Sequence, residues 1–167
     1  MTKPVIAFLL GSKNDLPQLE GAETFLKQME IPYEVRIMSA HRTPERVREY
    51  AMTARERGLK IMVGMAGMAA HLAGVLAATT DLPVLGIPAA GGVADGLDAL
   101  LSTVQMPGGV PVATFAVGKA GGMNAAVFAC QVLGLSDPTI AKKLEGFRAA
   151  QRAKVEKDDD EVRKARA

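Results

Sequence analysis

Residues 5–15 read VIAFLLGSKND, an unbroken apolar run followed at once by a small polar turn. Six apolar residues in a row are typical of a central strand in a parallel sheet, because both faces of such a strand are covered. The turn at residues 11–15 is rich in glycine, serine, asparagine and aspartate, which favour tight turns. Apolar residues then recur at helical spacing from Leu16 to Met29, with Asp15 as the predicted helix cap. The stretch therefore predicts a strand, a polar turn and a helix.

The same pattern recurs along the chain. Residues 33–37 alternate apolar and polar side chains, which predicts a strand near an edge of the sheet. Three further strands are predicted at residues 61–65, 83–87 and 111–117, and the helices between them at residues 44–58, from about residue 72, and at 97–104. Two more helices are predicted at residues 121–133 and from residue 138 onward. Strands and helices that alternate with short links predict an α/β fold, a three-layer sandwich with a central parallel sheet.

The length of 167 residues, with 49% hydrophobic residues, predicts a single domain over residues 1–167 plus a C-terminal helix. Residues 154–167 carry a dense run of charges that includes three consecutive aspartates. Two interpretations of this tail stay open. It is either a frayed, solvated end or a helix that packs on another subunit.

Composition excludes several classes of protein. A net charge of +2 and 4% aromatic residues leave neither a basic stripe nor stacking platforms, so no nucleic-acid partner is expected. The apolar run at residues 5–10 is too short for a signal peptide or a membrane span, which predicts a cytoplasmic protein with no membrane partner. Cys130 is the single cysteine and falls in an apolar helical stretch, so we expect it to fill the core.

In parallel α/β sheets, ligands bind at the carboxyl ends of the strands, where all the polar turns lie. His41 stands in the run SAHRTP, between the second strand and the helix that Thr43 and Pro44 begin. Histidine can give or take a proton near neutral pH, so His41 is the candidate acid–base residue. Arg42 is a cation at a helix start, where the helix dipole opposes it, and an anionic partner would explain its position.

The first turn also suits an anion, because backbone N–H groups and a helix start meet there. It lacks the dinucleotide fingerprint and the phosphate loop of nucleoside triphosphatases, and the chain has no nucleophile elbow. Asp15 has two interpretations, a helix cap or a carboxylate that binds ribose hydroxyls. His71 is interpreted from its surroundings as a packed histidine. Two histidines with one cysteine make no zinc set, although carboxylates could complete one. The residues alone thus favour acid–base chemistry on a bound phosphate ester over metal binding.

Four strings, in this order and spacing, resemble the class I PurE family, the N5-carboxyaminoimidazole ribonucleotide mutases of purine biosynthesis. They are GSKND, SAHRTP, AGMAAHLAG and GLDALLSTVQMPGGVPVATFAVGKAG, and the resemblance covers about residues 4–135. It implies a flavodoxin-like topology, a homo-octamer, and transfer of a carboxylate from the exocyclic nitrogen N5 of an imidazole ribonucleotide to ring carbon C4. It also implies that no cofactor or metal takes part.

By the same resemblance, His41 is the catalytic residue, and Ser12, Asp15 and Arg42 hold the ribose and phosphate. Ser39 and Ala40 shape the pocket, while the loop near the base and carboxylate supplies further contacts. The other predicted substrate-binding residues are Gly11, Asn14, Gly67, Ala69, Ala70, His71 and Leu72. The chain departs from the common pattern of the family at Asn14, Met65, Met68 and Ala73, which replace a serine, two small residues and a proline.

Two alternative functions stay open. Class II members of the same fold carboxylate aminoimidazole ribonucleotide directly with CO2, and they tend to show Ser-Ala-His-Lys and a Gly-Arg-Ser-Asn turn. Arg42 and the AAHL string at residues 69–72 favour the mutase instead. A nonenzymatic nucleotide-binding module is the other alternative, and it would leave His41 dispensable.

Overall fold

The computed structural model describes residues 3–166, and in them five parallel strands form a single sheet. The strands are β1 (Ile6–Leu10), β2 (Tyr33–Ile37), β3 (Ile61–Ala66), β4 (Val84–Pro88) and β5 (Ala113–Thr114). Their order in the sheet is β2-β1-β3-β4-β5, the order of flavodoxin-like folds. The predicted parallel α/β fold is confirmed, and so is the place of β2 at an edge.

Helices cover both faces of this sheet, so that β1 and β4 are buried along their whole length. In chain order, the helices of the described residues are α1 (Glu20–Gln28), α2 (Pro44–Met52), α3 (Leu72–Ala77), α4 (Leu97–Val104), α5 (Gly118–Gly134) and α6 (Pro138–Arg166). On one face, Ala7, Leu9 and Met62 of the sheet pack in a core with residues of α2 and α3. The apolar runs seen in the sequence are therefore the strands that lie inside the sandwich.

Several element boundaries differ from the predictions. The helix expected from Leu16 starts as a 3-10 helix, Lys13–Gln18, which contains Pro17. Ser12 caps this helix, and Asp15 supplies the second half of a capping box instead of the cap itself. The predicted fifth strand shrinks from residues 111–117 to two residues.

The second helix ends at Met52, whereas we predict that it continues to Gly58; turns replace its last residues. Thr43 occupies the predicted cap position of α2, but its side chain makes no capping hydrogen bond. Its hydroxyl bonds to Ser39 instead, which fixes the loop before the helix.

Glycine lets α3 lie unusually close to the sheet. A Cβ atom on Gly64 would lie 2.8 Å from the Cα atom of Ala73, closer than real Cβ atoms approach. The contact sets the depth of α3, and with it the position of the loop between β3 and α3. This loop is part of the cavity described below.

The chain forms two compact units, Met1–Ala129 and Cys130–Ala167, and the prediction of a single domain stays a prediction. The first unit holds the sheet and helices α1 to α4. Cys130 is buried, and burial raises the pKa of its thiol to about 11, which fits the predicted core position. No helix within residues 3–166 combines the length and the apolar character needed to cross a bilayer.

The charged tail is helical over its described residues, because α6 continues to Arg166, and its fraying in solution stays a prediction. Its residues from 154 to 166 are exposed, as the solvated-tail interpretation expects. The sequence after Gly146 contains no glycine or proline and consists mostly of residues that favour helices. Lys157 pairs with Glu161 one turn away at 3.7 Å, which adds a little helix stability. Residue 167, the last of the predicted tail, lies outside the described residues.

Candidate active site

The loops that follow β1, β2, β3 and β4 surround a cavity of about 560 Å³. It lies at the carboxyl ends of the strands, where we predict the ligand site. The first turn, the SAHRTP loop and the loop before α3 all line it. A cavity of this volume suits a small organic ligand such as a mononucleotide.

Two histidines from different loops meet in this cavity. His41 follows β2 and His71 immediately precedes α3, and Nε2 of His41 lies 2.9 Å from Nδ1 of His71. The rings are nearly perpendicular, at 85°. A hydrogen bond of this length requires one nitrogen to donate and the other to accept, so each ring fixes the tautomer of the other. Both side chains are exposed, and a ligand in the cavity can reach them.

Arg42 joins the first two loops of the site. Its Nη2 atom donates to the carbonyl of Gly11 at 2.8 Å, and its backbone N–H donates to Oγ of Ser39 at 3.2 Å. In the part of the chain that the structure describes, no carboxylate pairs with this guanidinium. A cation is thus held beside the first turn with donors left for an anion.

The first turn is rigid because its own side chains close it. Oγ of Ser12 accepts from the backbone N–H of Asn14 at 3.2 Å, and Oδ2 of Asp15 accepts from the N–H of Ser12 at 3.1 Å. Desolvation raises the pKa of Asp15, while the hydrogen bond from Ser12 partly lowers it. Asp15 therefore acts in the capping box and also lines the cavity, so its two predicted roles are compatible in space.

A glycine-rich loop after β4 forms a further wall that we do not predict as part of the site. Ala90, Gly91 and Gly92 line the cavity. Oε1 of Gln18 accepts from the backbone N–H of Ala90 at 2.8 Å, and Oδ1 of Asp95 accepts from that of Gly91 at 2.9 Å. The consecutive glycines Gly91 and Gly92, shortly after a buried strand, were the available signal, since a backbone that comes close to a ligand often needs glycine.

The structure brings nearly all of the predicted site residues together. Ala70 is the exception, since it is buried with 2% exposure and does not line the cavity. The predicted residues that line it are Gly11, Ser12, Asn14, Asp15, Ser39, Ala40, His41, Arg42, Gly67, Ala69, His71 and Leu72. The interpretation of His71 as a packed histidine is wrong, because its ring is exposed at the cavity. Ala66 and Met68 also line the cavity, although we do not predict them as binding residues.

Within residues 3–166, no three histidine, cysteine or carboxylate side chains gather closely enough to hold a metal ion. The polar groups that line the cavity include two imidazoles, a guanidinium, a carboxylate and hydroxyls. Such a set can bind an anion and move protons.

Comparison with known proteins agrees with this geometry. The family model described as AIR carboxylase matches residues 5–154. The N5-carboxyaminoimidazole ribonucleotide mutase of Bacillus subtilis is 45% identical over 160 residues, which cover 96% of this chain and 99% of the relative. The enzyme of the same name from Pyrococcus horikoshii is 47% identical over 154 residues, covering 92% of this chain and 86% of the relative.

Among solved structures, a variant of Treponema denticola PurE2 superposes with a TM-score of 0.84 at 26% sequence identity. The match covers 96% of this chain and 98% of that one. The resemblance seen in the four sequence strings is therefore confirmed, and the chain belongs to the AIR carboxylase family.

Proposed function

We propose that this protein is an N5-carboxyaminoimidazole ribonucleotide mutase, an isomerase that moves a carboxylate from N5 to C4 of the nucleotide in purine biosynthesis. One observation carries the proposal: the His41–His71 pair shares a cavity with the guanidinium of Arg42 and the capped turn of Ser12 and Asp15. An acid–base group thus lies beside an anion-binding corner. The relatives at 45% and 47% identity bear the mutase name.

The nucleotide binds across the first two loops. Its phosphate lies at Arg42 and at the turn of Gly11, Ser12 and Asn14, where a cation and a helix start favour negative charge. The carboxylate of Asp15 accepts from the ribose hydroxyls. This arrangement directs the imidazole ring toward the two histidines and the loop at residues 66–72.

His41 moves the protons of the reaction. The C–N bond of the carbamate breaks, its electron pair stays on N5, and protonated His41 donates a proton to that nitrogen as CO2 departs. Ring carbon C4 then attacks the CO2, forming the new C–C bond, and neutral His41 accepts the proton that C4 loses. The proton count closes over the cycle, since the imidazole gives one proton and regains one. Holding CO2 beside C4 supplies a high effective concentration.

His71 positions His41 for both transfers. The 2.9 Å bond engages Nε2 of His41, which leaves Nδ1 for exchanging protons with the nucleotide, and it sets which way the ring faces. Since His71 is also exposed at the cavity, it completes the wall against which the base and its carboxylate lie.

The family resemblance implies a cytoplasmic homo-octamer, and an exposed apolar row supports self-association. Leu97, Leu101 and Val104 recur at helical spacing on α4 and are 47%, 52% and 46% exposed. Rows of this kind on a protein surface mark contact sites. The proposed reaction uses neither a metal ion nor an organic cofactor.

A comparison of two substrates tests the activity. Purified protein receives either the N-carboxylated nucleotide or the uncarboxylated nucleotide with bicarbonate, at low bicarbonate concentration. A mutase consumes the first and leaves the second. Consumption of the uncarboxylated nucleotide would instead make the protein a direct carboxylase, and binding of both without turnover would make it a nonenzymatic nucleotide-binding module.

A further inference from the structure

Met68 is a large apolar side chain at the wall of the cavity. It lies in the loop between β3 and α3, lines the cavity and is 68% exposed. An exposed methionine on a general surface needs no explanation. At a ligand cavity, however, a flexible thioether is suited to pack against whatever binds there.

The backbone of Met68 is in an unfavourable conformation. Its φ angle is +56°, in the left-handed region that favours glycine. Its carbonyl accepts from the backbone N–H of Ala70 at 2.9 Å and from the hydroxyl of Ser102 at 3.4 Å. These bonds hold the backbone of the residue in place, and with it the direction of the Cα–Cβ bond. Strain that a structure maintains at a site is a reason to look for function.

We propose that Met68 packs over the imidazole of the bound nucleotide and retains the CO2 that the carbamate releases. This inference rests on the proposed mutase function. In that reaction the freed CO2 must reach C4 before it escapes to solvent, and closing a site limits such losses. Met68 and His71 line the same cavity three residues apart in one loop, and His71 contacts His41, the residue proposed to exchange protons with C4.

An isotope experiment measures the retention. Nucleotide labelled with ¹³C in its N-carboxylate reacts in excess unlabelled bicarbonate, with carbonic anhydrase present so that escaped CO2 mixes with the pool. Mass spectrometry then gives the label left at C4 of the product. We expect the wild-type protein to keep most of the label. Met68→Ala should lose about ten times as much label per turnover, the lower end of the 10- to 200-fold effect that one apolar group in a pocket usually has.

Met52→Ala is the matched control. Met52 is 59% exposed, lies at the end of α2 and does not line the cavity, so its truncation should leave label retention unchanged. Equal label loss in wild-type protein and Met68→Ala would overturn the inference while leaving the mutase function intact. Failure of the wild-type protein to form product would instead overturn the proposed function.

Light scattering on the same samples checks the assembly. We expect the molar mass of Met68→Ala to equal that of the wild-type protein. A smaller assembly would place Met68 in a subunit contact and would overturn the inference.

Discussion

Nε2 of His41 and Nδ1 of His71 lie 2.9 Å apart, although 30 residues separate them in the chain and they belong to loops after different strands. The parallel sheet produces this contact, because the carboxyl ends of β2 and β3 point the same way and only β1 lies between the two strands. The proposed proton transfers depend on this pair.

Replacing His71 tests whether it positions its partner. His71→Phe keeps a ring but removes both nitrogens, so we expect kcat to fall about 10- to 100-fold, as for a slightly misplaced catalytic group, with little change in KM. His71→Gln keeps a hydrogen-bonding side chain and should recover part of the loss. Steady-state kinetics over a range of pH separates these effects. A higher KM at unchanged kcat would show that His71 only binds substrate.

Arg42 is expected to bind the phosphate. Arg42→Ala should weaken nucleotide binding by about 1.5 to 3 kcal/mol, the usual contribution of a hydrogen bond to a charged group. Calorimetric titration with the nucleotide gives the affinity. Arg46→Ala is the control, because Arg46 is exposed on α2 and does not line the cavity. An affinity of Arg42→Ala equal to that of the control would place the phosphate elsewhere.

The two tyrosines give a pH prediction outside the site. Burial and hydrogen bonds to Glu23 and Glu34 raise the pKa of Tyr33 and of Tyr50 to about 12. In the unfolded chain a tyrosine ionises near pH 10, so the unfolded state loses protons first and the free energy of unfolding falls as pH rises from about 10 to 12. The chain has no other tyrosine and no tryptophan, so phenolate absorbance reports these residues directly.

In the folded protein we expect the phenolate absorbance to appear near pH 12, and in denaturant near pH 10. Tyr33→Phe and Tyr50→Phe should each remove about half of the signal. A midpoint near pH 10 in the folded protein would contradict the prediction.

Much of the fold could be predicted because apolar runs mark buried parallel strands. The edge strand differs from them because its apolar and polar side chains alternate. The length of β5 could not be predicted, since the mostly apolar run at residues 111–117 extends beyond the two residues that pair with β4. Thr43 takes the predicted cap position of α2, but the partner of its side chain could not be predicted. Its hydroxyl bonds to the backbone of Ser39, and this pairing depends on the folded loop.

The predicted parallel sheet was enough to predict that the residues of the polar turns share one site, because parallel strands bring their carboxyl ends together. The contact of His41 with His71 depends on two loop conformations, which no local pattern determines. The wall at Ala90 was missed for a similar reason, since Gln18, 72 residues away, holds it in place.

The central claim is that the imidazole of His41 moves the proton between N5 and C4, and His41→Asn tests it most directly. The variant should bind the nucleotide with the affinity of the wild-type protein, since Arg42, Ser12 and Asp15 are unchanged. In a single-turnover assay with the N-carboxylated nucleotide, carboxylate transfer should slow about 10²- to 10⁴-fold, the usual contribution of a general acid–base group. Transfer at the wild-type rate by His41→Asn would contradict the account.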